Sequence, residues 1–126
     1  MFIYTNPNPI DKKVGDCVIR AIAIATETPW ERAYMDLCME GLEMADLPNS
    51  NAVWASYLKK FGFRKGIVPD TCPDCYTVAD FAQDHPYGIY VLCSGDHAVT
   101  IMDGNIYDTG DSSMEIPIFY YYKEAW

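Results

Sequence analysis

The sequence predicts an α+β fold, with N-terminal helices packed on a mostly antiparallel C-terminal sheet. Three observations lead there. Apolar residues recur at helical spacing up to about Gly62, and from Phe63 onward the period shortens toward that of strands. Asp103-Gly104 stands between two apolar runs as a hairpin signal. Helices first and antiparallel strands after them is the order of an α+β domain. At 126 residues and 50% apolar, the chain has the length and core material of one domain, so residues 1–126 are read as a single unit.

Each element follows from local chemistry. Asn6-Pro7-Asn8-Pro9 reads as extended or turn structure. Gly15-Asp16 precedes an apolar run that only Arg20 interrupts. Asp16 is a suitable N-cap, which puts Cys17 in the first turn of a helix over residues 17–26, buried on nearly every side. The β-branched Val18, Ile19, Ile22 and Ile24 keep a buried strand as the competing reading. Thr28-Pro29-Trp30-Glu31 reads as a capping box with Pro at the first helical position, opening a helix to about Gly41. A third helix starts near Ser50-Asn51, repeats apolar residues through Val53, Trp54, Tyr57, Leu58 and Phe61, and closes at Gly62. Residues 63–68 form a strand and residues 69–76 a loop. Thr77-Val78-Ala79-Asp80 caps a short helix that ends before Pro86. Strands follow at residues 88–93, 97–102, 106–109 and 116–122.

Charge and composition exclude several functions. Nine basic against eighteen acidic residues leave a net charge of -9, which a phosphate backbone would repel, so no nucleic-acid partner is expected. No apolar run reaches membrane-spanning length, and the N-terminal residues lack the pattern of a secretory signal; a cytoplasmic protein without a membrane partner is expected. Five cysteines, Cys17, Cys38, Cys72, Cys75 and Cys93, cannot all pair within the chain, so at least one thiol is free.

Three residues form a candidate catalytic set: Cys17, His97 and Asp108. A thiol attacks only as thiolate, and a helix N-terminus favours that form at Cys17. His97 opens a strand after Ser94-Gly95-Asp96. With a two-residue turn at Asp103-Gly104 or Gly104-Asn105, Asp108 falls on the same sheet face as His97, where a carboxylate can orient an imidazole. Each also has a plainer reading: an inert buried thiol, a structural histidine paired with Asp96, a turn carboxylate. Arg20, one turn beyond Cys17, can favour the thiolate or pair with Asp16 four residues before it, and the pair is the expected role. His85 is expected to be a bystander.

Asp96-His97-Ala98-Val99 resembles the histidine signature of papain-like cysteine peptidases, and Gly15-Asp16-Cys17 at the head of a buried helix resembles their nucleophile segment. The order Cys, His, Asp is similar to that of the C39-like, NlpC/P60-like and transglutaminase-like branches. The chain as a whole resembles small cysteine-peptidase-like proteins of bacteria and phages, which carry an early Asp-Cys-x-x-Arg-Ala motif. The resemblance implies a papain-like fold, a thiol hydrolase acting on a protein or peptide substrate, and no cofactor. It also implies an oxyanion donor. The papain family places Gln six residues before its Cys, where this chain has Asp11, which cannot donate as a carboxylate. The backbone N–H of Cys17 and the side chain of Asn8 or Asn6 are the candidates instead. A transglutaminase-like or amidase outcome would use the same triad.

Two other classes remain open at this stage. One is a catalytically silent papain-like module that binds a partner protein. The other is a zinc or redox protein built on Cys72-Pro73-Asp74-Cys75, which supplies half of a four-ligand zinc site and would need Cys38, Cys93 or His85 to complete it. The cap at Thr77 lies after both cysteines, away from the helix-terminal position a thioredoxin-like pair requires.

Overall fold

The computed structural model describes residues 1–123. They form an α+β arrangement of four helices and a six-stranded mixed sheet, in the order β1 (Phe2–Tyr4), α1 (Cys17–Thr26), α2 (Trp30–Met44), α3 (Asn51–Lys60), β2 (Arg64–Ile67), α4 (Val78–Asp84), β3 (Ile89–Cys93), β4 (Ala98–Met102), β5 (Asn105–Asp108) and β6 (Phe119–Lys123). The sheet runs β1-β5-β4-β3-β6-β2. Every neighbouring pair is antiparallel except β1 with β5. No described helix is long and apolar enough to cross a membrane.

Alternation along the strands builds two cores on two faces. On one face Val91, Cys93, Ala98 and Tyr121 pack with Ala21 and Ile22 of α1, Leu37 of α2 and Trp54 of α3. On the other, Leu92, Val99, Ile101 and Ile106 meet Val78 and Phe81 of α4. The 17–26 segment is thus a helix, not a strand: its Ala21, Ala23 and Ala25 are buried small residues that let the helix pack closely between the sheet and α2. The fully buried Thr100 of β4 donates its Oγ1 hydrogen bond to the Ala21 carbonyl at 2.6 Å, pinning α1 to the central strand.

The β4–β5 connection is the two-residue turn. Asp103 and Gly104 both have positive φ, 51° and 78°, the combination a type I′ hairpin requires. Met102 therefore pairs with Asn105, and Thr100 with Tyr107.

Some local expectations are corrected. Asp16 precedes α1, but its carboxylate makes no cap bond; it is committed to Arg20 and Trp30. The Thr28 capping box does not form. Pro29 is itself the N-cap of α2, and the Thr28 hydroxyl pairs with that of Thr26 at 2.9 Å. The helix continues past Gly41 to Met44 because the following Leu42, Glu43 and Met44 are all good helix formers. His97 stands one residue ahead of its strand. By contrast, the Thr77–Asp80 capping box is present with both reciprocal bonds. Strand β1 has no counterpart among the expected elements.

Candidate active site

Cys17 is the first residue of α1 and half-buried. His97 closes the four-residue turn between β3 and β4, where the Ser94 amide donates to the His97 carbonyl at 2.9 Å and Gly95 takes φ 91°, a conformation suited to glycine. Asp108 ends β5 and is held on both sides. Its strand pairs with β4, and β1 runs along its other edge, with Tyr4 opposite Asp108 and the Thr5 amide donating to the Asp108 carbonyl at 2.8 Å. The unforeseen strand β1 therefore fixes the backbone of the acidic residue.

The three side chains meet. His97 Nε2 and Asp108 Oδ2 are 2.6 Å apart. Cys17 stands beside the same imidazole, which is the leading influence on its thiol. With Nε2 engaged by the carboxylate, Nδ1 is the nitrogen left for sulfur. The three lie at one end of the sheet, where α1 begins and where the turn before β4 and the end of β5 converge.

Electrostatics favour a charge-separated pair. The hydrogen bond from His97 lowers the Cys17 thiol below its ordinary value despite the opposing effect of burial; the Ala98 amide and the positive charges of His97 and Arg20 assist. His97 is raised to about 10, first by its bond to Asp108 and next by its bond to Cys17. Burial pulls Asp108 upward, but the bond and charge of His97 and the donors Thr109 and Ser112 outweigh it and hold the carboxyl below the usual range. These shifts all favour the charge-separated form, a thiolate–imidazolium pair backed by a carboxylate.

A wider polar network supports the acid. Asp108 Oδ1 accepts from the Thr109 amide at 2.7 Å and Oδ2 from Ser112 Oγ at 2.9 Å. Arg20 Nη2 reaches Asp108 Oδ1 at 3.4 Å, while Nη1 pairs with Asp16. Asp16 Oδ2 in turn accepts from Trp30 Nε1 at 2.9 Å. The expected Asp16–Arg20 pair is thus present and extends further, joining the first turn of α1 to the acid at the end of β5. All three charged groups are buried, so each must be paired to persist there.

Cys17 and His97 open onto a cleft of about 410 Å³. Its walls include Val14, Val18, Asn49, Asn51, Trp54 and Asp96. Asn51 Oδ1 accepts from Trp54 Nε1 at 3.0 Å, which leaves its Nδ2 donors for other use. The asparagines weighed from sequence lie elsewhere. Asn6 donates to Asp11 Oδ1 at 3.1 Å, and Asn8 Oδ1 accepts from the amides of Ile10 and Lys12, so both shape the loop before α1 and neither lines the cleft. The Cys17 backbone N–H, at the start of a helix whose N-cap side chain makes no bond, stays available as a donor. Asn51 gave no sequence signal because α3 is brought to the cleft only by tertiary packing.

Cys72 and Cys75 are joined as a disulfide in the loop before α4. Their sulfurs are bonded to each other, and among the described residues no three His, Cys, Asp or Glu side chains gather as metal ligands. His85 is stacked on Phe81 at 3.8 Å, with Nδ1 at 2.8 Å from the Phe81 carbonyl oxygen. Cys38 and Cys93 are free thiols.

Comparisons with protein-family models, with curated proteins and with solved structures found no match for this chain. What the site can do is therefore read from its chemistry: a thiolate able to attack, an imidazolium able to donate a proton, a carboxylate that orients it, and donors beside an open cleft.

Proposed function

We propose that the chain is a thiol-dependent hydrolase of papain-like type, cleaving a peptide or amide bond through a Cys17-His97-Asp108 triad. The observation that carries the proposal is the convergence of the three side chains, with His97 bonded to Asp108 at 2.6 Å and Cys17 beside the same imidazole at the mouth of a cleft. Cys17 attacks the carbonyl carbon, and the developing oxyanion is met by the Cys17 N–H and the Asn51 amide. His97 gives its proton to the leaving nitrogen, so the amine departs and an acyl-thioester remains on Cys17. His97, now neutral, takes a proton from water; hydroxide adds to the thioester, the acid departs and the thiolate returns. Asp108 holds the imidazole in one orientation throughout. An amine in place of water would give transfer by the same steps.

The substrate class is a protein or peptide, the reaction needs no cofactor, and the expected setting is the cytoplasm. The test is labelling with a panel of acyl-type cysteine probes, followed by peptide mapping. Acylation concentrated on Cys17 and lost in His97→Ala supports the hydrolase. A folded protein whose Cys17 takes no probe would replace this reading with that of a silent partner-binding module.

A further inference from the structure

We propose that Cys93 is a resolving thiol for Cys17, so that hydroperoxide oxidation of the site ends in a reversible Cys17–Cys93 disulfide. Three observations bring the two sulfurs together. Both residues line the same cleft. Ala98, whose amide acts on the Cys17 thiol, lines that cleft too, and Ala98 is the cross-strand partner of Cys93. The Cys93 carbonyl is taken by the Ile118 amide at 2.8 Å on the β6 side, while the adjoining Ser94–His97 pair carries the turn's hydrogen bond. Cys93 and Ala98 are then a non-hydrogen-bonded antiparallel pair, the kind whose Cα atoms approach to about 4.5 Å and whose side chains are closest. A Cys17 side chain beside Ala98 therefore lies beside the side chain of Cys93 as well.

The chemistry divides between the two thiols. Cys17, in its thiolate form, attacks one oxygen of the hydroperoxide O–O bond. The product is Cys17 sulfenic acid, and the departing hydroxide or alkoxide takes the His97 proton. Cys93 is buried, and burial first and the negative charge at Cys17 after it keep its thiol protonated, so it does not compete for the oxidant. Its only described hydrogen bond is a long one, 3.8 Å to the Gly95 carbonyl, which restrains it little. The Cys93 sulfur then attacks the Cys17 sulfur, and the hydroxyl leaves with the thiol proton as water. Two hydrogens are lost in all, two electrons pass to the peroxide, and an external thiol reverses the change. The disulfide removes the nucleophile and shields it from over-oxidation.

The inference rests on the reactive-thiolate part of the proposed function, and iodoacetamide alkylation of Cys17 in reduced protein tests that part separately. The full chain is then treated with hydrogen peroxide, and intact mass and peptide mapping are read. The expected result is loss of two hydrogens, a linked Cys17–Cys93 peptide, and full recovery of alkylation after dithiothreitol. Cys93→Ala, a small apolar replacement at a buried site, should instead accumulate Cys17 sulfinic acid that dithiothreitol does not reverse. Sulfinic acid at Cys17 in the unaltered chain with Cys93 still free overturns the inference, as does a link from Cys17 to Cys38, Cys72 or Cys75. These results in a protein whose Cys17 alkylates readily leave the hydrolase reading standing; a Cys17 that neither alkylates nor oxidises removes both.

Discussion

Asp108→Asn keeps the shape of the acid, removes its charge and turns one of its two accepting oxygens into a donor. In the native site His97 is raised from 6.5 to about 10, with the 2.6 Å bond to Asp108 as the leading cause. A hydrogen bond to a charged, buried partner contributes about 1.5–3 kcal/mol, which corresponds to about 1–2 pKa units. The substitution should therefore lower the His97 pKa by at least about one unit, the rest being sustained by Cys17. With less imidazolium present, the Cys17 pKa should rise and alkylation near pH 6 should slow several-fold. The pH dependence of stability should change as well. A raised histidine pKa stabilises fully below 6.5 and its contribution is lost as pH rises through about 10. The lowered Cys17 pKa acts oppositely, stabilising above 9.0 and losing its share as pH falls through the folded value. In a Cys17→Ala background, where only the first effect operates, Asp108→Asn should flatten the alkaline loss of stability. The assay is an NMR titration of nitrogen-15-labelled histidine, with the His85 signals, which arise on the α4 side of the sheet, expected not to respond to the substitution. A His97 titration that moves by less than about half a unit would show that Asp108 does not govern the imidazole.

Three further outcomes follow from the same structure. Thr100→Val removes the buried bond to the Ala21 carbonyl and should cost about 1 kcal/mol, near 4 °C in Tm, read by chemical and thermal denaturation. Replacing Cys72 and Cys75 together by Ala should leave the fold and Cys17 alkylation unchanged, with a stability loss of no more than about 2 kcal/mol for so short a loop; loss of folding in the double variant would refute the peripheral role given to that loop. Asn51→Ala should leave Cys17 alkylation, which develops no oxyanion, within about twofold, yet slow acylation by an activated ester about 100-fold if its amide stabilises the oxyanion; equal effects on both rates would remove Asn51 from that role.

Much of this arrangement was legible from local chemistry. The α1 boundaries, the Thr77–Asp80 cap and the Asp103-Gly104 turn each rest on residues adjacent in sequence, and local signals suffice for such features. The turn also set the pairing that brings Asp108 beside His97. What sequence could not show depends on packing. β1 spans three residues, too few for a period, and exists because β5 offers it an edge. Asp16 looks like a cap in isolation, but a buried guanidinium and an indole N–H from another helix claim its carboxylate. Arg20 was expected to pair with Asp16, and its further reach to Asp108 spans 88 positions. Asn51, Trp54 and Cys93 join the cleft only when α3 and β3 are assembled around α1.

The central claim is that Cys17, activated by His97, carries the acyl group of the substrate. Single-turnover reaction with an activated acyl ester, followed by time-resolved intact mass and peptide mapping, tests it most directly. The account predicts one acyl group on Cys17 that forms in a burst and is released by water, with formation slowed at least about 100-fold in His97→Ala and absent in Cys17→Ala. An acyl group that settles on Cys38 or Cys93 while Cys17 stays free, or a His97→Ala protein that acylates as fast as the unaltered chain, would contradict it.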